Sequence, residues 1–117
     1  MEEQNIDRSL ATALWKNLCD EIQDECRSVN SVAGEKMTVE RTPLTIAVKD
    51  VKTHKLLLLS YQEAGPYIRY LESGKSDSNI NFRVEHNAIP SLMLMNRGIP
   101  TFARDLAVSL VVGLSRF

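Results

Sequence analysis

Residues that usually carry chemistry are scarce in this chain. It holds two cysteines, two histidines and one tryptophan in 117 residues. Its five glycines, Gly34, Gly65, Gly74, Gly98 and Gly113, stand alone. No G-x-G-x-x-G, P-loop or nucleophile elbow can be read across them, which leaves the familiar nucleotide chemistries without a phosphate cradle. No apolar run approaches the ~20 residues of a spanning helix. The longest, Leu106 to Leu114, is interrupted by Ser109 and Gly113. The formal net charge is −1, so no global field draws the chain to nucleic acid or to an anionic membrane. The opening MEEQNIDRSL is acidic and polar, without the basic and apolar regions of a secretory leader. These absences together lead us to expect a cytoplasmic protein with reduced cysteines, no cofactor and no metal.

What is present is the composition of a globular domain, 44% hydrophobic and 25% charged. A chain of this length can bury one core without staples, so 1–117 is expected to form a single domain.

The first third repeats every 3.6 residues. Stepping about 100° per residue from Trp15, the residues Ala11, Leu14, Leu18, Cys19, Ile22, Cys26 and Val29 fall in one arc of about 140°. Lys16, Asp20, Asp24 and Arg27 lie opposite. A helix over roughly 9–30 follows, with Asp7 or Ser9 as N-cap and Asn30 to Gly34 as its stop. The period then changes to two, the signature of strands. Met37 and Val39 alternate with polar neighbours up to Thr42-Pro43. Leu44, Ile46 and Val48 alternate next, and Asp50 to His54 turns. KLLLLSY (55–61) is apolar on both faces, as a central strand is. QEAGP connects it to a strand over 67–71, SGKSDSN connects onward, and Ile80, Phe82 and Val84 alternate in turn. Leu92 to Met95 can add a last short strand. Connections this short suit antiparallel neighbours only.

The chain ends in a second amphipathic helix, roughly 101–115, with RGIP as the preceding turn and Thr101 as N-cap. Phe102, Ala103, Leu106, Ala107, Leu110 and Leu114 form its stripe. Val108 and Val112 lie off the stripe, with Val111 on its border. The expected fold is α+β: helix, antiparallel meander of five or six strands, helix. Both helices are expected on the face carrying Ile46, Val48, Ile68, Phe82 and Val84.

LCDEIQDEC (18–26) looks chemical, with two cysteines around four acids. Seven helical residues set Cys19 and Cys26 about 10.5 Å apart along the axis, beyond the roughly 7 Å that a disulfide spans. No zinc spacing matches. The cysteines read as buried apolar residues and the acids as a solvated face. His54 and His86 read as surface turn residues, with no orienter or nucleophile at hand.

The far side of the sheet is the more promising surface. It should carry Tyr67, Arg69, Leu71, Asn81 and Arg83, plus one phase of the leucines at 56–59, for which we take Leu57 and Leu59. Tyrosine and arginine on an open sheet can hold single-stranded RNA. The strand order and charge do not support that, and apolar residues mixed with arginine suit a protein interface. Val108 and Val112 would add to it.

The order of features resembles a layout found among small uncharacterised bacterial α+β proteins. The resemblance rests on LWKNL in the first helix, the break at Thr42-Pro43, LLLLSYQEAGPYIRY, FRVE, and a last helix after RGIPT. It implies the helix–meander–helix fold and carries no catalytic residue.

The sequence therefore points to a non-catalytic protein-interaction domain acting as a homodimer. One alternative is a small-molecule-binding protein or enzyme. Its pocket would lie between sheet and helices, lined by Trp15, Tyr61, Tyr70 and Phe82 and edged by His86 and Arg97. Another is a chaperone or adaptor dedicated to one partner.

Overall fold

The computed structural model describes residues 7–34, 36–75, 77–85, 91–96 and 98–115, the side chains at 84, 85, 91, 92 and 115 excepted. The order is α1 (Arg8–Ala33), β1 (Met37–Arg41), β2 (Thr45–Asp50), β3 (Leu56–Gln62), β4 (Tyr67–Glu72), β5 (Ser78–Glu85), β6 (Ser91–Asn96), β7 (Ile99–Thr101) and α2 (Ala103–Ser115). The strands pair in chain order as one seven-stranded antiparallel meander. The α+β reading holds, with more strands than the five or six expected. The additional strand is β7, whose residues read as the turn before the helix. Pro100 hid it, because proline cannot donate to a ladder and is confined to strand edges. Pro100 sits opposite Met95 on the last strand of the sheet, where that loss matters least.

Asp7 caps α1, accepting from the amides of Ser9 at 2.8 Å and Leu10 at 3.4 Å. The stripe Ala11, Trp15, Leu18, Cys19, Ile22 and Cys26 is buried, and Leu14 and Val29 pack beside it. Asn30 does not end this helix, which runs on to Ala33 with Gly34 as its cap. Its side chain instead acts as a short surrogate strand. The amide nitrogen donates to the Met37 carbonyl at 2.9 Å, and the oxygen accepts from the amides of Met37 and Lys36 at 2.8 and 3.0 Å. That closes the start of the exposed β1 edge, a place where sheets otherwise recruit other strands.

The sheet curls around α1. Trp15 Nε1 donates to the Pro43 carbonyl, between β1 and β2, at 2.9 Å. Beside Trp15 on the helix, Leu14 and Asn17 line the same groove as Leu94 of β6. In a flat sheet β2 and β6 would lie about 19 Å apart, whereas a helix is about 10–12 Å across. Strand twist accumulates to close that difference. α2 packs along α1 and reaches β3.

Both helices cover the inner face, where Ile46, Val48, Ile68 and Phe82 are buried as expected. The Val84 side chain lies outside the described residues. The leucine phase is the reverse of the one chosen from sequence. Leu57 and Leu59 are 1% and 0% exposed in the core, and Leu56 at 42% faces outward with Leu58. Register decides this: Leu57 pairs with Val48 and Leu59 with Ile46, both inner residues. A one-residue phase moves a whole strand's side chains to the other face.

The α2 stripe Ala103, Leu106, Ala107, Leu110 and Leu114 is buried, and Val111 with it. Thr101 is not the cap. It belongs to β7, and the Phe102 carbonyl accepts the first helical bond, from Leu106 N at 3.0 Å. Phe102 therefore precedes the helix and stands 69% exposed instead of joining the stripe.

Candidate functional site

Trp15, Tyr61 and Phe82 pack against one another in the core. Trp15 stacks on Tyr61 at 5.7 Å between ring centroids, and Tyr61 meets Phe82 edge-on at 6.2 Å. The Tyr61 hydroxyl lies 3.3 Å from Thr12 Oγ1. This is closed core packing with its polar tips satisfied. Tyr70, the fourth aromatic expected there, stands elsewhere, in an open groove between α2 and the sheet.

That groove encloses about 480 Å³, within the usual range of small-molecule sites. One wall is the flank of α2 that leaves the buried stripe: Val108, Ser109, Val112 and Gly113. Val108 is exposed and Val112 half-buried, so both of the off-stripe valines line this opening. The other wall comes from the inner face beyond the core: Tyr70 and Glu72 of β4, Ser78 of β5 and Asn96 of β6. Alternation along β4 puts Ile68, Tyr70 and Glu72 inward and Arg69 and Leu71 outward, and the pairing of Glu72 with Leu57 fixes that phase.

A carboxylate on an inner face must be compensated. Glu72 has a side chain only 6% exposed. Its Oε1 accepts from the Tyr70 hydroxyl at 3.0 Å, and its Oε2 meets the Lys75 ammonium at 2.6 Å. Lys75 reaches it from the β4–β5 turn, where its amide also donates to the Glu72 carbonyl at 3.0 Å. Gly74 makes this reversal at φ 78°, in the left-handed region that costs glycine no Cβ clash. The Lys75 side chain remains 55% exposed. The groove thus has a fixed, deep anion, a movable cation at its rim, hydroxyl and amide groups, and an apolar wall. The described lining contains no histidine or cysteine. Groups of these kinds can hold and orient a ligand.

The other candidates are dispersed. Burial pushes the Cys19 thiol up to about 12 from 9.0, with Arg41 opposing and Asp20 adding, and the Cys26 thiol to about 11, with Glu25 adding. Both cysteines are free and buried, the opposite of a reactive thiol. Among the described residues no group of three His, Cys, Asp or Glu side chains could hold a metal ion. The acids of α1 face solvent or its edge, and Asp20 ties down Arg41 of β1 at 2.7 Å. His54 is an exposed turn residue at φ 60° whose amide donates to the Asp50 carbonyl at 2.8 Å. His86 and Arg97 lie outside the described residues.

Asp50 is fully buried at the end of β2. Its Oδ1 accepts from the Lys52 and Thr53 amides at 2.9 and 3.3 Å. Oδ2 has no hydrogen-bond partner, with Lys36 Nζ at 3.9 Å. It closes the β2–β3 turn. On the outer face Tyr67, Arg69, Leu71 and Arg83 stand as expected, Arg69 paired with Asp77 at 2.9 Å.

Glu72, Lys75, Ser78, Asn96, Ser109 and Gly113 are site residues that the sequence reading passed over. Glu72 had a signal: counting by two from Ile68 places it inward. Among the described residues no helix is long and apolar enough to cross a membrane. No known protein family, curated protein sequence or solved structure matches the chain.

Proposed function

We propose that the protein is a non-catalytic binding domain that takes a small molecule in the groove between α2 and the sheet. The observation carrying this reading is unfilled volume of about 480 Å³ with a buried carboxylate converging on it. The opening is edged mainly by polar groups, with Val108 and Val112 on one wall, and a concave site where a few polar groups converge can fix a ligand's orientation. Gly113 adds support. A Cβ built there meets nothing within 4 Å, so packing does not require glycine, and a glycine inside a helix costs about 0.5–1 kcal/mol relative to alanine. Its effect is to keep the groove wall low. The test is a titration of mixed small-molecule fragments followed by backbone amide shifts. Bound fragments move the amides of Tyr70, Glu72, Ser78, Asn96 and residues 108–113 together. Shifts confined to other surfaces, or none, overturn the reading.

A second reading, a homodimer through the outer face of the sheet, is favoured by one separate observation. Ala47, Leu58 and Leu71 line up in register across β2, β3 and β4 on the face opposite α1 and α2, with Leu56 beside them. Leu56 and Leu58 thus take the place in this interface that the sequence reading gave to Leu57 and Leu59, alongside Tyr67, Arg69, Leu71 and Arg83. Sedimentation at micromolar concentration decides it, since a single species of 13.2 kDa rules it out.

A further inference from the structure

We infer that the groove selects a ligand bearing a primary ammonium group on a short aliphatic body, with Glu72 as the recognising group and Lys75 as the cation displaced. This rests on the groove reading above and names its ligand class.

Charge placement sets the ligand class. Among the described residues lining the groove, the formal charges are Glu72 and Lys75. They differ in depth: the Glu72 side chain is 6% exposed and the Lys75 side chain 55%. The anion is therefore part of the wall. It is held from one side by the Tyr70 hydroxyl, which points Oε1 and leaves Oε2 to the cation. The Lys75 head comes from a turn, on a flexible stem that returns to water at small cost. An incoming anion would approach the Lys75 nitrogen with Glu72 Oε2 already 2.6 Å from it, and the buried carboxylate would repel it. A neutral molecule leaves the ion pair shut across the opening. An ammonium ion takes over the bond that Lys75 vacates and leaves no buried charge unpaired, the condition that burial of charge demands. Its carbon chain then lies along the exposed Val108 and the half-buried Val112.

Lys75 thus acts as a built-in competitor, and removing it should tighten binding of the very class of ligand whose charge it shares. A merely structural ion pair has no such property.

The experiment titrates n-butylammonium chloride into the wild-type protein, Lys75→Ala and Glu72→Gln, reading groove amide shifts at constant ionic strength. Butanol and sodium butyrate are the neutral and anionic probes of equal length. Lys75→Met, which keeps the aliphatic stem, is run in parallel so that a folding defect in Lys75→Ala does not decide the result. The expected order is tightest binding in the Lys75 variants, by about two- to fivefold over wild type for loss of a half-exposed competitor, and no saturable binding in Glu72→Gln. Equal or weaker binding in both Lys75 variants overturns the inference, as does binding that survives in Glu72→Gln. Butanol or butyrate matching butylammonium in the groove overturns the ligand class while leaving the groove as a site. Failure of all three probes in the Lys75 variants overturns the class as well, and the fragment mixtures then decide the groove independently.

Discussion

Replacing Leu57 and Leu58, one at a time, by alanine separates the two faces of β3 with a single-residue step. Leu57 is 1% exposed, between Val48 on one side and Glu72 on the other in register. Its truncation removes buried methyl groups and leaves a hole that the flanking β2 and β4 cannot collapse to fill. Such losses cost about 2–5 kcal/mol, and the rigid flanks place Leu57→Ala near 3 kcal/mol or above. Leu58 faces outward between Ala47 and Leu71 and is only half-buried. Full burial of a leucine is worth about 1.5–3 kcal/mol, so Leu58→Ala should cost about 1 kcal/mol. With a urea slope of about 1–3 kcal/mol per molar, the first midpoint falls by roughly 1–3 M and the second by roughly 0.3–1 M. The assay is urea unfolding followed by the fluorescence of Trp15, the single tryptophan, itself buried against Tyr61, alongside circular dichroism. Equal losses, or a larger loss for Leu58→Ala, would refute the register and with it the assignment of faces. If the outer face joins two copies, the Leu58→Ala loss grows with protein concentration.

Three further outcomes follow from the same structure. A thiol reagent at pH 8 should modify neither Cys19 nor Cys26 in the folded protein on the timescale that completes the reaction in denaturant; rapid native labelling of either contradicts their burial. Because both folded thiols are raised above 9.0, to about 12 and about 11, the stability gained by keeping them neutral is complete below about pH 9 and is lost as pH rises towards 11–12. A Cys19→Ala, Cys26→Ala double variant should lack that component in pH-dependent unfolding. Asn30→Ala strips three hydrogen bonds from the start of β1. It should cost about 1–3 kcal/mol in urea unfolding and raise self-association by light scattering; an unchanged midpoint contradicts the surrogate-strand role.

The sequence announced the fold through period and spacing. The stripe of α1, the alternation of β1, β2 and β5 and the short connections were enough for helix, meander and helix. They failed where a segment carried no alternating signal. The four leucines 56–59 are apolar in both phases, so only the register with Ile46 and Val48 could orient them. β7 is three residues with a proline inside, and its existence depends on β6 lying beside it. Phe102 matched the α2 stripe by angle yet lies one residue before the helix begins. The groove was half legible. The off-stripe valines and Tyr70 were recognised separately, and the inward phase of Glu72 could have been counted. That Lys75 bends back onto Glu72 depends on the Gly74 turn, and that α2 leaves space above β4–β6 depends on how two helices share one curled face. Neither is written in local pattern.

Filling the groove between α2 and the sheet from Gly113 decides whether it is the binding surface. The site for a new Cβ is open, so Gly113→Leu should fold with equal or greater stability while its side chain occupies the groove. One fragment mixture, titrated into wild type and Gly113→Leu and read by amide shifts, gives the answer. Fragments that bind wild type at the groove should lose at least about tenfold in affinity in the variant, a change of about 1.4 kcal/mol. Undiminished binding to a well-folded Gly113→Leu would contradict it.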